Sequence, residues 1–313
     1  MMKQKMVFLF PGQGSQSIGM GQELADAFPT AKAVFQEVDE ALHQNLTDLM
    51  WNGNIDELTQ TQNAQPAIMA VSMAVMRVLE SQGFSLKENV SFVAGHSLGE
   101  YTALCATGAL TLSETAKILQ MRGQAMAEAG RTEAGGMMAV LGLEPDLVQK
   151  IATDSGCYMA NDNGAGQWVL SGSLVALSTA KMRAESMGAK RVIPLPVAGA
   201  FHSPLMRSAQ EKMKEVLADI AFQKPSVPVV ANVTARAETG NFVDLLVRQI
   251  VAPVRWRESV LYMQKQGMTH FVECGPGAVL SGLVRRILPD SVQEKVNDVA
   301  SLQAFFENNQ KNT

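Results

Sequence analysis

Ser97 stands in Gly95-His96-Ser97-Leu98-Gly99, a serine with a glycine two residues away on each side. A serine hydroxyl is a weak nucleophile at neutral pH. It needs a base beside it and donors for the oxyanion that its attack creates. The apolar run at residues 90–94 reads as a buried strand, and the small residues at 100–109 read as a helix. Strand, sharp turn and helix is the setting in which this spacing lifts a serine out of a sheet, toward the positive end of the helix. The bland alternative, an inert serine in a glycine-rich turn, fits that setting less well.

The base has four candidates, His43, His96, His202 and His270. His43 ends a surface-type helix, and His270 opens an apolar strand as a packing or edge residue. His96 lies inside the turn and is directed away from Ser97. His202 lies in Gly199-Ala200-Phe201-His202-Ser203-Pro204, a loop between a strand and a helix. Loops at sheet ends are where catalytic groups are held, so His202 is the candidate base, with a structural histidine as the alternative. A third feature is Pro11-Gly12-Gln13-Gly14-Ser15-Gln16. It lacks the third glycine of a dinucleotide fingerprint and the Lys-Ser/Thr of a phosphate-binding loop. Such a loop can supply an oxyanion N–H, and a plain turn is the alternative.

These residues need a scaffold. Residues 7–10 read as a strand, and residues 19–43 as helix broken at Pro29. A helix is expected from Pro66 to 81, the proline taking its first position, and another at 113–130 carrying Arg122. Strands at 137–143, 158–161, 167–171 and 191–196 alternate with helices at 145–154 and 174–187. That βαββαβ order predicts a small ferredoxin-like domain over 131–200. Beyond it come a helix at 204–217, a strand at 227–232, a helix at 244–251, a strand within 267–273 and a helix at 279–287. Residues 1–130 and 201–313 would together form a large α/β-hydrolase-like domain with a mainly parallel sheet, interrupted by the small one. The polar tail from Asn308 is expected to fray.

The chain has 313 residues, 47% hydrophobic and 18% charged, which suits a globular protein with a substantial core. A net charge of −4 argues against nucleic acid as a partner. Three scattered cysteines, Cys105, Cys157 and Cys274, form neither a disulfide framework nor a metal motif. The N-terminal apolar stretch is too short for a signal peptide, and none approaches a membrane span. A cytoplasmic setting is expected.

Five segments occur in one order: residues 10–16, 95–100, Arg122-Gly123, 199–204 and Glu273-x-Gly275-Pro276-Gly277. Together they resemble the malonyl-CoA:acyl-carrier-protein transacylases, members of the acyltransferase family of fatty-acid and polyketide synthesis. The similarity spans residues 6–290. It implies that Ser97 carries a malonyl ester and that His202 serves as base and then acid. It further implies that the Gln249 backbone carbonyl orients His202, and that the Gln13 and Leu98 N–H groups hold the oxyanion. Arg122 would grip the malonyl carboxylate with two parallel hydrogen bonds. Phe201 resembles the variants that accept malonyl, and Gln65 and Asn161 match positions near the family's site. No metal or redox cofactor is implied. Malonyl-CoA and acyl carrier protein are the implied partners, with Lys190, Arg191, Arg285 and Arg286 as candidate docking residues; solvated surface charge is their alternative.

Supply of fatty-acid synthesis is the expected role, with a free-standing acyltransferase serving a polyketide synthase as its alternative, and two rivals of other classes stay open. A serine hydrolase or thioesterase shares the serine turn, but Arg122 is the feature that acyl hydrolases of the family tend to lack. A hydrolase would also want a carboxylate between serine and histidine in chain order. Asp146, Asp154, Asp162 and Glu185 are there, all in the small-domain segment. A non-catalytic acyl-binding protein would explain a pocket but not the Ser–His pair.

Overall fold

The structure, a computed structural model, describes residues 6–310. Its strands, in chain order, are β1 (Met6–Phe10), β2 (Val90–Gly95), β3 (Gly135–Leu141), β4 (Tyr158–Asp162), β5 (Gln167–Ser173), β6 (Arg191–Pro194), β7 (Val229–Val230), β8 (Ala237–Glu238), β9 (His270–Cys274) and β10 (Val292–Val296). They form a six-stranded sheet in the order β10-β9-β1-β2-β7-β8 and a four-stranded sheet in the order β4-β5-β3-β6.

The large sheet is parallel from β10 to β7, and β8 turns back antiparallel. Every residue of β1 is buried, because a central parallel strand is covered on both faces. The continuous apolar run from Val7 to Phe10 is the sequence form of that burial. Parallel strands end at one edge of the sheet. The loops that follow β1, β2, β7 and β9 therefore gather there, where open α/β sheets carry their sites.

The small sheet is antiparallel throughout. Side chains alternate across it. Met138, Val140, Trp168 and Leu170 pack with Val148, Ile151, Ala180 and Ala184 of the helices Pro145–Ser155 and Leu174–Ser186. Met137 and Val169 face the other way and join the principal core of the chain. The sheet thus has a core of its own and a second face against the rest of the molecule.

Several expectations are corrected. The helix expected from Pro66 runs Thr61–Ser81, with Pro66 inside it. Gln62, whose carbonyl Pro66 cannot bond, is the one residue from 61 to 76 that is not buried. Burial of the rest of that stretch outweighs the missing hydrogen bond. The strand expected at 227–232 is paired only at Val229–Val230, since the chain turns at once to form β8. The helix expected from 204 begins as a 3₁₀ turn, Pro204–Met206, and becomes α-helical over Arg207–Ala218. The helices Trp256–Lys265 and Val299–Gln310 and the edge strand β10 are additions. The last helix continues past Asn308, and residues 311–313 lie outside the described residues.

Candidate active site

The turn after β2 is built by close approach. A Cβ on Gly95 would lie 1.9 Å from the Gly99 carbonyl carbon, and one on Gly99 would lie 2.2 Å from the Phe10 carbonyl oxygen. Only glycine lets β1, β2 and the helix Leu98–Ala106 cross so tightly. Ser97 is forced to φ 54°, ψ −109°, a conformation that costs roughly 1–3 kcal/mol for a residue with a side chain. His202 also has a positive φ, 55°. Both candidate catalytic residues are thus held in backbone shapes that the surroundings must enforce.

Ser97 Oγ lies 2.8 Å from His202 Nε2. His202 Nδ1 lies 2.9 Å from the Gln249 backbone carbonyl, which can only accept. The proton therefore sits on Nδ1, and Nε2 is free to accept from the serine hydroxyl. Burial, and then the nearby Arg122 charge, push the His202 pKa down to about 3. The imidazole is neutral at pH 7, as a general base must be. His96 points away, with Nε2 3.0 Å from Asn163 Oδ1 and its ring against Trp256. Burial lowers its pKa to about 4.

Arg122 is 1% exposed. It donates to Gln65 Oε1 at 2.8 Å, to Gln249 Oε1 at 2.9 Å and to Ser97 Oγ at 3.0 Å. Its guanidinium lies over the Tyr101 ring, 5.4 Å from the centroid. These hydrogen-bond acceptors are all neutral, and none of the ion pairs among the described residues includes it. A buried cation without a paired carboxylate is costly, and a ligand carboxylate would offset that cost. Glu100 stands one step further off, because Gln249 Nε2 donates to its Oε2 at 2.8 Å. Burial raises the Glu100 pKa to about 7.

The remaining expected residues fall in three groups. Leu98 opens its helix, so its N–H has no partner within that helix. The loop bearing Gln13 is pressed on the same turn: a Cβ on Gly12 would be 2.7 Å from the His96 carbonyl oxygen. Glu273 accepts from the Leu280 and Ser281 N–H groups at 3.0 and 2.7 Å, so its motif caps the helix Val279–Ile287. Gly275 packs against Pro11, bracing the Gln13 loop from below.

Phe201 is buried beside His202, and its carbonyl accepts from the Ser171 hydroxyl. Asn161 is brought near the site by its backbone: it bridges to Val254, five residues after Gln249. Its side chain makes no hydrogen bond to Ser97, His202 or Arg122. A groove of about 450 Å³, lined in part by Tyr158, Met159, Pro204, Val251 and Pro253, reaches His202.

Lys190, Arg191, Arg285 and Arg286 are all exposed. The Lys190 stem packs over Gly142, whose N–H donates to the Gly166 carbonyl. Arg286 donates to Gln167 at 2.9 Å, and Arg285 to Gln293 at 3.4 Å. Lys190 and Arg286 therefore flank one turn, although one precedes β6 and the other lies on the helix Val279–Ile287. None of the four intervening carboxylates serves His202. Asp162 pairs with Arg257, Asp154 with Lys150 and Arg183, and Glu185 with Lys181, while Asp146 is an exposed residue in the first turn of its helix.

Two residues with no sequence signal as site groups belong to the cluster, Asn232 and Glu100. Asn232 Oδ1 accepts from the Ser97 N–H at 2.8 Å, and its own N–H donates to Glu100 Oε2 at 2.9 Å. Glu100 adjoins the serine motif in sequence, but nothing there tells that its carboxylate is wholly buried.

A serine on a strained turn, facing a neutral histidine, defines a nucleophile of the acyl-transfer type. Comparison with known proteins specifies the family. A family model described as the acyl transferase domain matches residues 7–311, and the chain belongs to that family. It is 43% identical over 290 residues to a malonyl CoA-acyl carrier protein transacylase of Bacillus subtilis (strain 168), covering 90% of each chain. It is 39% identical over 306 residues to the Salmonella typhimurium protein of the same name, covering 96% of this chain and 98% of that one. The crystal structure of an acyl-carrier-protein-S-malonyltransferase from Bartonella henselae superimposes with a TM-score of 0.95, at 45% identity, over 98% of this chain and 100% of that one. A further structure, at TM-score 0.94, 37% identity and coverage of 97% and 100%, holds a malonyl-transacylase in complex with its type II PKS acyl-carrier protein.

Proposed function

We propose that the chain moves a malonyl group from malonyl-CoA to the phosphopantetheine thiol of acyl carrier protein, through an ester on Ser97. The observation that carries this reading is Arg122, a buried guanidinium that touches the Ser97 hydroxyl and meets no carboxylate of its own chain. An acyl group ending in a free carboxylate fits that arrangement. The malonyl-transferring relatives and the carrier-protein complex support it from outside the chain.

In the first half-reaction the malonyl carboxylate pairs with Arg122 as two parallel hydrogen bonds. This offsets the Arg122 charge, which after burial is the largest influence depressing the His202 pKa, so the base strengthens as substrate arrives. Ser97 Oγ attacks the thioester carbon while its proton passes to His202 Nε2. The Gln249 carbonyl holds the imidazolium by Nδ1. The oxyanion is met by the Leu98 and Gln13 N–H groups; the Ser97 N–H is engaged by Asn232. Collapse expels CoA thiolate, which takes the proton from His202. The carrier thiol repeats the steps in reverse. A thioester is exchanged for a thioester, so the steps call on no metal and no redox cofactor.

The same reading gives Phe201, Gln65 and Asn161 places around the acyl group. Gln65 orients Arg122, and Phe201 walls the pocket beside the base. Lys190, Arg191, Arg285 and Arg286 form the docking face for an acidic carrier protein. Glu substitution at Lys190 and Arg191 should raise the KM for carrier protein and leave enzyme malonylation unchanged; equal effects on both would reject the face. We further read residues 131–200 as a ferredoxin-like insert in a hydrolase-like domain of residues 1–130 and 201–313, supported by its separate core. A cytoplasmic setting agrees with three free, buried cysteines, and none of the described helices is long and apolar enough to cross a membrane.

The hydrolase reading is weaker, since a backbone carbonyl and not a carboxylate orients His202. Mass spectrometry of the intact protein after malonyl-CoA tests the proposal. The wild type should carry one malonyl group and Ser97→Ala none. A labelled Ser97→Ala protein would refute the ester.

A further inference from the structure

Asn232 lies 135 residues from Ser97 in sequence, just after β7, and turns both polar atoms of its side chain on the serine turn. Its Oδ1 accepts from the Ser97 N–H at 2.8 Å, and its Nδ2 donates to the Gly95 carbonyl at 2.7 Å. Its backbone N–H donates to Glu100 Oε2 at 2.9 Å, and its carbonyl accepts from Arg255 at 3.2 Å. Glu100 Oε2 also accepts from Gln249 Nε2, which in turn donates to the Ser97 carbonyl at 3.1 Å. The two peptide groups of Ser97 are therefore held by two side chains, and one buried carboxylate oxygen ties the backbone of one of these residues to the side chain of the other. Asn232, Glu100 and Gln249 are each no more than 1% exposed.

A clamp of this kind has a chemical purpose. Ser97 pays for an unfavourable φ, and relaxation of its backbone would swing Oγ off both His202 Nε2 and Arg122. Relaxation could also turn the Leu98 N–H, the next peptide along. We infer that Asn232 is a positioning residue for the reaction: together with Glu100 it holds Ser97 in the one backbone shape that aims Oγ at the base and the following N–H at the oxyanion. Asn232 touches no substrate atom in this account and acts through Ser97. The inference rests on the acyl-transfer reading of Ser97, but not on the identity of the acyl group.

Asn232→Ala removes both contacts to the serine turn. Asn232→Asp keeps an acceptor for the Ser97 N–H and loses the donor to the Gly95 carbonyl. A misplacement of about 1 Å at a reacting atom costs on the order of 100-fold. The test measures the rate at which a serine-directed fluorophosphonate labels Ser97, with Ser97→Ala as blank, beside kcat and KM for malonyl-CoA. Asn232→Ala should label about 100-fold more slowly, with kcat lowered to match, KM within about twofold and far-UV circular dichroism unchanged. Asn232→Asp should fall between Ala and the wild type. Labelling and kcat at the wild-type level, with only a lower Tm, would overturn the proposal. Should Asn232→Ala not fold, Asn232→Asp is judged by the same readouts: slower labelling at constant KM supports the role, and wild-type labelling overturns it. Fluorophosphonate reports on the serine whatever acyl group it carries. A wild type that labels but takes no malonyl would therefore count against the malonyl reading alone.

Discussion

Two arginines do opposite things in this molecule. Arg257, on the helix Trp256–Lys265, is partly exposed and forms a two-point ion pair with Asp162 at the end of β4. It also lies over the Trp168 ring, 5.9 Å from the centroid. Its charge is answered by the protein, and the pair pins the small sheet to a helix that packs on the large one. Arg122 is buried, bonded to neutral oxygens, and one of those oxygens is the nucleophile. Its charge has no carboxylate in direct contact, the nearest being Glu100 one residue further off. A satisfied arginine is a fastening, whereas a buried one held only by neutral groups is a receptor for an anion. The contrast supports, without reference to any motif, the proposed recognition of substrate within reach of Ser97.

The comparison can be sharpened by asking which acyl groups each residue affects. As the proposed base His202 would serve every acyl group alike, so His202→Ala should slow enzyme acylation by malonyl-CoA and acetyl-CoA equally, by about 1,000-fold. Stopped-flow or quenched mass measurement reads this, and an effect confined to malonyl would place His202 in recognition instead. The pH dependence carries the same residue's signature. In the proposed mechanism the neutral form is the active one, and burial and Arg122 depress its pKa from 6.5 to about 3, so this base is lost only as pH falls toward 3. The acid limb of kcat/KM should accordingly lie well below 6.5; half-loss at 6.5 would show an unshifted base. Arg257→Ala should act on stability alone. Asp162 is only 12% exposed on its side chain, so leaving it unpaired costs on the order of 1–3 kcal/mol. We expect a Tm lower by a few degrees and an unchanged kcat/KM, and a large loss of turnover would blur the distinction between the two arginines.

The sequence made the near-range chemistry legible and hid the long-range part. Ser97 was readable because its turn needs glycines at fixed spacing, and those glycines sit where backbones nearly touch. His202 emerged from a choice of four. Arg122 and Gln249 needed the family resemblance, since an arginine on a helix and a glutamine near a helix end have no pattern of their own. Asn232 was not readable at all. It meets Ser97 only because β7 pairs with β2, a strand contact that no local spacing encodes. In the fold, the apolar run of β1 was plain, whereas β10, Val-Gln-Glu-Lys-Val on an exposed edge, alternates too weakly to announce a strand. Pro66 misled because local propensity says helix start, and burial of the surrounding turns overrode it.

The central claim is that Arg122 chooses the acyl group that Ser97 carries. Intact-mass analysis of Arg122→Ala with equal amounts of malonyl-CoA and acetyl-CoA tests it most directly. The account predicts loss of the malonyl adduct, by about 100-fold or more in rate, with acetyl adduct now formed on Ser97. An Arg122→Ala protein that still prefers malonyl as strongly as the wild type would contradict it.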